Sequence, residues 1–161
     1  MTLKSDWSTT GFETRAIHGG QEPDPTTGAI MTPIFQTSTY VQESPGVFKG
    51  YEYSRTSNPT RVALEGNIAS IEGGRFARAF SSGSAATSAI LACLNPGDHV
   101  ICGDDVYGGS FRLMDKVYKR LGLEFSFVDQ TDLGAMRDAL RPQPKLCWIE
   151  TPTNPTLKVV D

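Results

Sequence analysis

The stretch that decides the fold is Phe80-Ser81-Ser82-Gly83-Ser84-Ala85-Ala86-Thr87. Before it, Ala77 to Phe80 reads as a short apolar strand. After it, Ala85 to Leu94 is rich in Ala, Leu and Ile and free of Pro and Gly, which predicts a buried helix. A Ser/Gly turn thus delivers the chain from a strand edge into a helix start. There the first backbone N–H groups lack intrahelical partners and the helix dipole is positive, so the turn suits a phosphate. Gly83 lets a bulky anion approach the backbone. The same residues also read as an ordinary N-cap, and nothing local separates the two readings.

Working outward, the pattern on the C-terminal side alternates. Asn95-Pro96-Gly97-Asp98 is a strong turn, His99–Cys102 a short apolar strand, and Ser110–Leu121 an amphipathic helix stopped by Gly122. Glu124–Val128 reads as a strand, Thr131–Leu140 as a helix and Lys145–Ile149 as a strand. Alternation with short connections implies an α/β fold with a mostly parallel sheet flanked by helices. Ligands of such sheets sit at the carboxyl ends of the strands. Three polar loops fall there: Ser81–Ser84, Gly103–Gly109 and Glu150–Asn154. On the N-terminal side, Asn58 and Pro59 open a helix that runs through Ile71 to Gly73-Gly74. Residues 1–58 hold many Gly and Pro and little helical period, yet carry Ile34, Phe35, Tyr40, Phe48, Tyr51 and Tyr53. That is too much apolar surface for a solvated tail. The division expected is an arm over 1–58 that buries its aromatics on a neighbouring subunit, then an α/β domain over 59–161.

The 161 residues carry a formal charge of −3 and no basic cluster, so neither nucleic acid nor an anionic membrane is expected as partner. No apolar run approaches the roughly 18 residues of a membrane span. The Met1–Asp6 start is polar, without a signal-peptide core. Cys93, Cys102 and Cys147 form no C-x-x-C pair and read as buried thiols of a reducing compartment. The cytoplasm is the expected location, and no metal site is expected; Asp104 and Asp105 read as turn acids.

Four clusters carry chemistry. In Tyr51–Thr60, Arg55 offers a planar fork suited to phosphate or carboxylate, and Tyr53 a hydroxyl donor. The second is the Ser/Gly turn. In the third, Tyr107 precedes Gly108-Gly109 and is free to lay its ring over a flat ligand. In the fourth, two X-Pro steps in Glu150–Pro155 stiffen a loop that aims Asn154. P-loop, dinucleotide, G-x-S-x-G and H-E-x-x-H signatures are absent. A flat ring bearing one phosphate would use a helix start, an arginine and a stacked tyrosine together, and pyridoxal phosphate fits.

These motifs, in this order, resemble the Cys/Met-metabolism family of pyridoxal-phosphate enzymes, and within it the cystathionine γ-lyases and γ-synthases. The resemblance runs from about Phe12 to Asp161. It implies the pyridoxal-phosphate-dependent transferase fold of aspartate aminotransferase type I. It implies that Gly83 and Ser84 give N–H groups to the cofactor phosphate, and that Tyr107 stacks on the pyridine ring and assists proton traffic. Tyr53 and Arg55 reach the phosphate of a neighbouring subunit. Asn154 contacts the cofactor's phenolic side or the substrate carboxylate, and Glu52 and Arg112 touch the distal part of the substrate. It further implies a homotetramer, a dimer of dimers with shared active sites, acting on a sulfur amino acid such as cystathionine or a homoserine ester. γ-Elimination of cystathionine is the activity expected first, γ-replacement the alternative, and a non-catalytic fragment of such an enzyme a further one. Two positions depart from the family pattern. Ser84 stands where Met or Leu is usual, and Gly109 stands where methionine γ-lyases carry Cys. The family's cofactor-linking lysine and its pyridinium-pairing Asp have no counterpart motif here. With the stop at Asp161 in mid-element, that implies the front part of a longer polypeptide, inactive alone.

Overall fold

The computed structural model describes Trp7, residues 9–140 and residues 144–161. The Met1–Asp6 stretch read above lies outside the described residues. The chain divides into two compact units, one ending at Ala79 and the other starting at Phe80.

In the first unit, helix α1 (Phe12–His18) packs on helix α2 (Pro59–Ile71). Seven residues are too few to show a period or to stand alone in water. Tertiary bonds hold α1 instead. The Asn67 amide donates to the carbonyls of Arg15, Ala16 and Gly19 at 3.0, 3.1 and 2.9 Å, and Arg15 donates to Ser70 O at 2.8 Å. The arm, whose sequence shows little helical period, thus holds one short helix fixed by long-range partners. A small antiparallel hairpin, β1 (Gln42–Ser44) with β2 (Val47–Phe48), follows. Helix α2 begins as read: Pro59 takes the first position and Asn58 Oδ1 accepts from Thr60 N at 2.9 Å. Such a cap is worth about 1 kcal/mol.

In the second unit, α3 (Gly83–Leu91) is capped by Ser82, whose Oγ accepts from Ala85 N at 3.1 Å. The expected strand Ala77–Phe80 forms no regular element and has no ladder partner among the described residues. An apolar run becomes a strand only where an edge is offered to it. Strands β3 (His99–Gly103), β4 (Glu124–Val128) and β5 (Pro144–Trp148) form a parallel sheet in the order β4-β3-β5. The central strand is buried at all five positions, as the apolar run Val100–Cys102 requires, with His99 Nε2 bonded to Ser126 Oγ at 2.9 Å. The helix read over Ser110–Leu121 starts earlier, as α4 (Gly108–Arg112). It widens to π-type bonding over Leu113–Tyr118 and tightens to a 3-10 turn over Lys119–Leu121. Gly122 stops it in the left-handed region at φ 97°. Helix α5 (Leu133–Ala139) is capped by Asp132, which accepts from Gly134 N and Ala135 N at 2.7 and 3.2 Å.

The core is Leu91, Val100, Cys102, Val106, Met114 and Leu123. Each large aliphatic side chain buried there contributes roughly 1.5–3 kcal/mol. Of the three cysteines only Cys102 is buried. Cys147 is exposed on β5, which among the described residues has a sheet neighbour on one side only, and Cys93 lies just beyond the end of α3. The expectation of three buried thiols therefore fails for two. Burial, with Glu150 second, pushes the Cys102 thiol up to about 12, so it is inert near neutrality. No helix among the described residues is long and apolar enough to cross a membrane.

Candidate functional site

Because the three strands are parallel, the loops after β3, β4 and β5 leave the sheet at one edge. Gln130, after β4, reaches across that edge. Its Nε2 donates to Trp148 O at 3.0 Å, passing over Gly103, where a Cβ would meet Gln130 Oε1 at 3.1 Å. The strand β3 therefore ends in the one residue that leaves the crossing open.

Two expected site residues leave this edge on adjacent strands: Tyr107 after β3 and Asn154 after β5. Their loops are tied together. Asp105 Oδ2 accepts from Thr153 Oγ1, Thr156 Oγ1 and, at 3.0 Å, Thr156 N. Tyr107 N donates to Glu150 Oε2 at 3.2 Å. Lys158 Nζ donates to Asp104 Oδ1 at 3.1 Å and to Asp129 Oδ2 at 2.9 Å, joining the ends of β3 and β4 to the chain after β5. Thr153 is buried and Asn154 exposed, so the loop turns its hydroxyl inward and its amide outward. The Thr151–Pro152 and Asn154–Pro155 bonds are cis.

Electrostatics follow these contacts. Bonds from Thr153 and then Thr156 hold the Asp105 carboxyl below its ordinary value. Bonds from Thr131 and then Lys158 pull Asp129 down to about 2. The carboxylates of Asp129 and Asp104 raise Lys158 above the ordinary lysine value. Lys158 is thus an ammonium between two acids, unsuited to nucleophilic work at neutral pH.

Tyr107 is 49% exposed and its ring folds over the start of α4. A Cβ at Gly109 would lie 2.3 Å from Tyr107 Cε1, so a side chain there would displace the ring. Gly109 and the ring occupy one space. In the same helix the Arg112 guanidinium lies back toward Gly108, with Nη1 3.7 Å from the place of a Cβ. Gly83 and Ser84 are the first two residues of α3, whose packing partners are α4 and the turns after it. The cap Ser82 satisfies Ala85 N and leaves the two earlier N–H groups without an intrahelical partner. A Cβ at Gly83 would meet nothing within 4 Å, so this helix start is open. An open pair of N–H donors on a nine-residue helix suits a phosphate, and the same unit carries a half-exposed aromatic, Tyr107.

Glu52, Tyr53 and Arg55 lie in the first unit. The Arg55 guanidinium sits 5.0 Å from the Tyr53 ring centroid, a cation–π contact. Glu52 is exposed, and its carbonyl accepts from Tyr40 N at 3.1 Å. The surrounding motif residues hold this turn. Asn58 Nδ2 donates to Phe35 O and Ser54 Oγ at 3.1 and 2.9 Å, and Arg61 donates to Ser54 O at 3.0 Å. Thr60 Oγ1 donates to Pro33 O at 3.1 Å and accepts from Phe35 N at 2.9 Å. Sequence reasoning quoted Asn58 and Thr60 without seeing this second duty, and it read Asp105 as a turn acid. Partners 23 to 27 residues from Asn58 and Thr60, and 48 to 51 from Asp105, leave no local signal.

The family model of the Cys/Met metabolism PLP-dependent enzymes matches residues 13–161. A cystathionine β-lyase of Coxiella burnetii is 58% identical over 93% of this chain and 39% of its own length. A probable cystathionine γ-synthase of Herpetosiphon aurantiacus is 53% identical over 92% of this chain and 47% of its own. The solved cystathionine γ-lyase from Lactobacillus plantarum, complexed with L-serine, superposes with a TM-score of 0.88 at 49% identity, over 93% of this chain and 39% of that one. The chain spans less than half the length of these relatives. The α/β fold read from the sequence is that of the solved relative. The chain belongs to the Cys/Met metabolism family of enzymes, whose cofactor is pyridoxal phosphate.

Proposed function

We propose that the whole protein is a trans-sulfuration enzyme that cleaves cystathionine at the γ-carbon, consuming one water and giving cysteine, 2-oxobutanoate and ammonia. The observation that carries the cofactor site is the open α3 start: Gly83 and Ser84 have N–H groups free of intrahelical partners, in the same unit as the tied Tyr107 and Asn154 loops. When bound, pyridoxal phosphate supplies an electron sink for chemistry at Cα and beyond. In this reading Gly83 and Ser84 donate to the phosphate, and Tyr107 lays its ring on the pyridine and moves a proton through its hydroxyl. Asn154 orients the cofactor or the substrate carboxylate. Glu52 and Arg112 meet the distal end of the substrate. Tyr53 and Arg55 serve the phosphate of a neighbouring subunit in a cytoplasmic homotetramer. The exposed Ile34 and Val41, 78% and 89% accessible, support an interface role for the arm.

The relative named β-lyase, at 58% identity, favours a second reading, in which the Cβ–S bond is the one broken. γ-Replacement on an acyl-homoserine is the third, as in the relative named γ-synthase. Product analysis of the full-length protein separates them. With cystathionine alone, 2-oxobutanoate and cysteine are expected. Pyruvate and homocysteine would replace the proposal with β-elimination. Cystathionine formation from an acyl-homoserine and cysteine, with no cleavage, would replace it with γ-replacement.

A further inference from the structure

The loops bearing Tyr107 and Asn154 have no ladder to hold them, and each contains residues that pack poorly by themselves. Tyr107 precedes two glycines, and Leu157 adopts a left-handed backbone at φ 58°, which brings its Cβ close to the following carbonyl oxygen and is unfavourable for an L-residue. Beside the Tyr107–Glu150 and Lys158–Asp104 bonds, one carboxylate oxygen collects several donors between them. Asp105 Oδ2 takes three donors from the other loop, from positions that bracket Asn154 on either side. Thr153 extends the tie: its Oγ1 accepts from Lys158 N at 2.8 Å while its backbone N–H donates to Lys158 O at 2.9 Å, closing a ring around Leu157. A neutral turn acid would need none of this, and three donors on one oxygen are the pattern of a group kept ionised.

We propose that Asp105 is a positioning residue: it latches the Tyr107 loop to the Asn154 loop through Thr153 and Thr156, so that both side chains meet the cofactor already in place. Asp105 acts through its bonds to Thr153 and Thr156. It acts two residues before Tyr107 and on both sides of Asn154, and its effect is preorganisation. The inference rests on the reading of Tyr107 and Asn154 as cofactor-facing.

The test uses the full-length protein, titrated with pyridoxal phosphate and followed by cofactor absorbance and by the circular dichroism of the cofactor band. The dichroism reports how rigidly the ring is held. Asp105→Ala is expected to weaken cofactor affinity about tenfold or more and to shrink the dichroism per bound cofactor. Asp105→Asn, which keeps an acceptor, falls between Ala and wild type. Thr156→Val reproduces part of the loss, and Thr156→Ser restores it; these exposed-site variants carry the test if Asp105→Ala does not fold. Wild-type affinity and dichroism in both Asp105→Ala and Thr156→Val would overturn the latch. Equal Thr156→Val and Thr156→Ser values would do the same, since the hydroxyl would then be idle. Asn154→Ala and Tyr107→Ala, measured alongside, keep the two readings apart. If these weaken the cofactor and Asp105→Ala does not, the latch alone fails. If neither does, the cofactor-facing reading fails first.

Discussion

Tyr107 has two functions in the proposed chemistry, and one substitution separates them. Its ring stacks and its hydroxyl moves a proton, so Tyr107→Phe keeps the first and removes the second. The ring's half-exposed position over Gly109 does not involve the hydroxyl, so its loss leaves that position in place. Tyr107→Phe in the full-length protein should leave thermal stability and cofactor affinity near wild type while turnover falls by about 10²–10⁴. Steady-state kinetics with cystathionine checks this, and unchanged turnover would remove the hydroxyl from the mechanism. Gly109 bears on the same residue. Any side chain there contests the ring's space, so the departure from the methionine γ-lyase pattern is a steric fact about Tyr107 as well as a missing thiol.

Between elements, the tie that matters is electrostatic and its sign can be worked out. Asp129, after β4, is pulled to about 2 by Thr131 and Lys158, and Lys158 is raised by Asp129 and Asp104. A carboxylate with a depressed value stabilises the fold fully above the ordinary value of 3.8 and loses that contribution as pH falls toward about 2. A raised lysine contributes fully below 10.5 and loses it as pH rises through its folded value. The groups are partly exposed, so salt screens them and the effect is modest. Comparing Lys158→Met with wild type by thermal melting should give a stability difference that is flat from about pH 5 to 9 and shrinks toward about pH 2. A difference that persists unchanged at pH 2 would show that Lys158 acts through packing alone. Much at this scale was legible in the chain. The Asn58-Pro59 start of α2, the apolar β3 and the Gly122 stop are local signals, and each appears where it was read. The elements that were not legible depend on distant partners. Helix α1 needs Asn67, the hairpin β1–β2 is too short to alternate, and Ala77–Phe80 joins no sheet among the described residues because strand patterning does not specify a neighbour.

For the whole molecule, the account rests on one open helix start. The Tyr107 and Asn154 loops were readable as a convergent edge because parallel strands send their carboxyl ends one way, but Asp105, Thr156 and Lys158 entered the site only through contacts across about 50 residues. The Gly83 N–H can be deleted without touching the fold. Proline is accepted at the first position of a helix, Ser82 before it is already extended at ψ 162°, and a Cβ at position 83 meets nothing. The direct measurement is therefore the pyridoxal-phosphate affinity of full-length Gly83→Pro against Gly83→Ala and wild type. Loss of one N–H to a phosphate should weaken Gly83→Pro about 10- to 100-fold, with melting temperature held and Gly83→Ala much closer to wild type. Equal affinity in all three would contradict the claim that this helix start holds the cofactor.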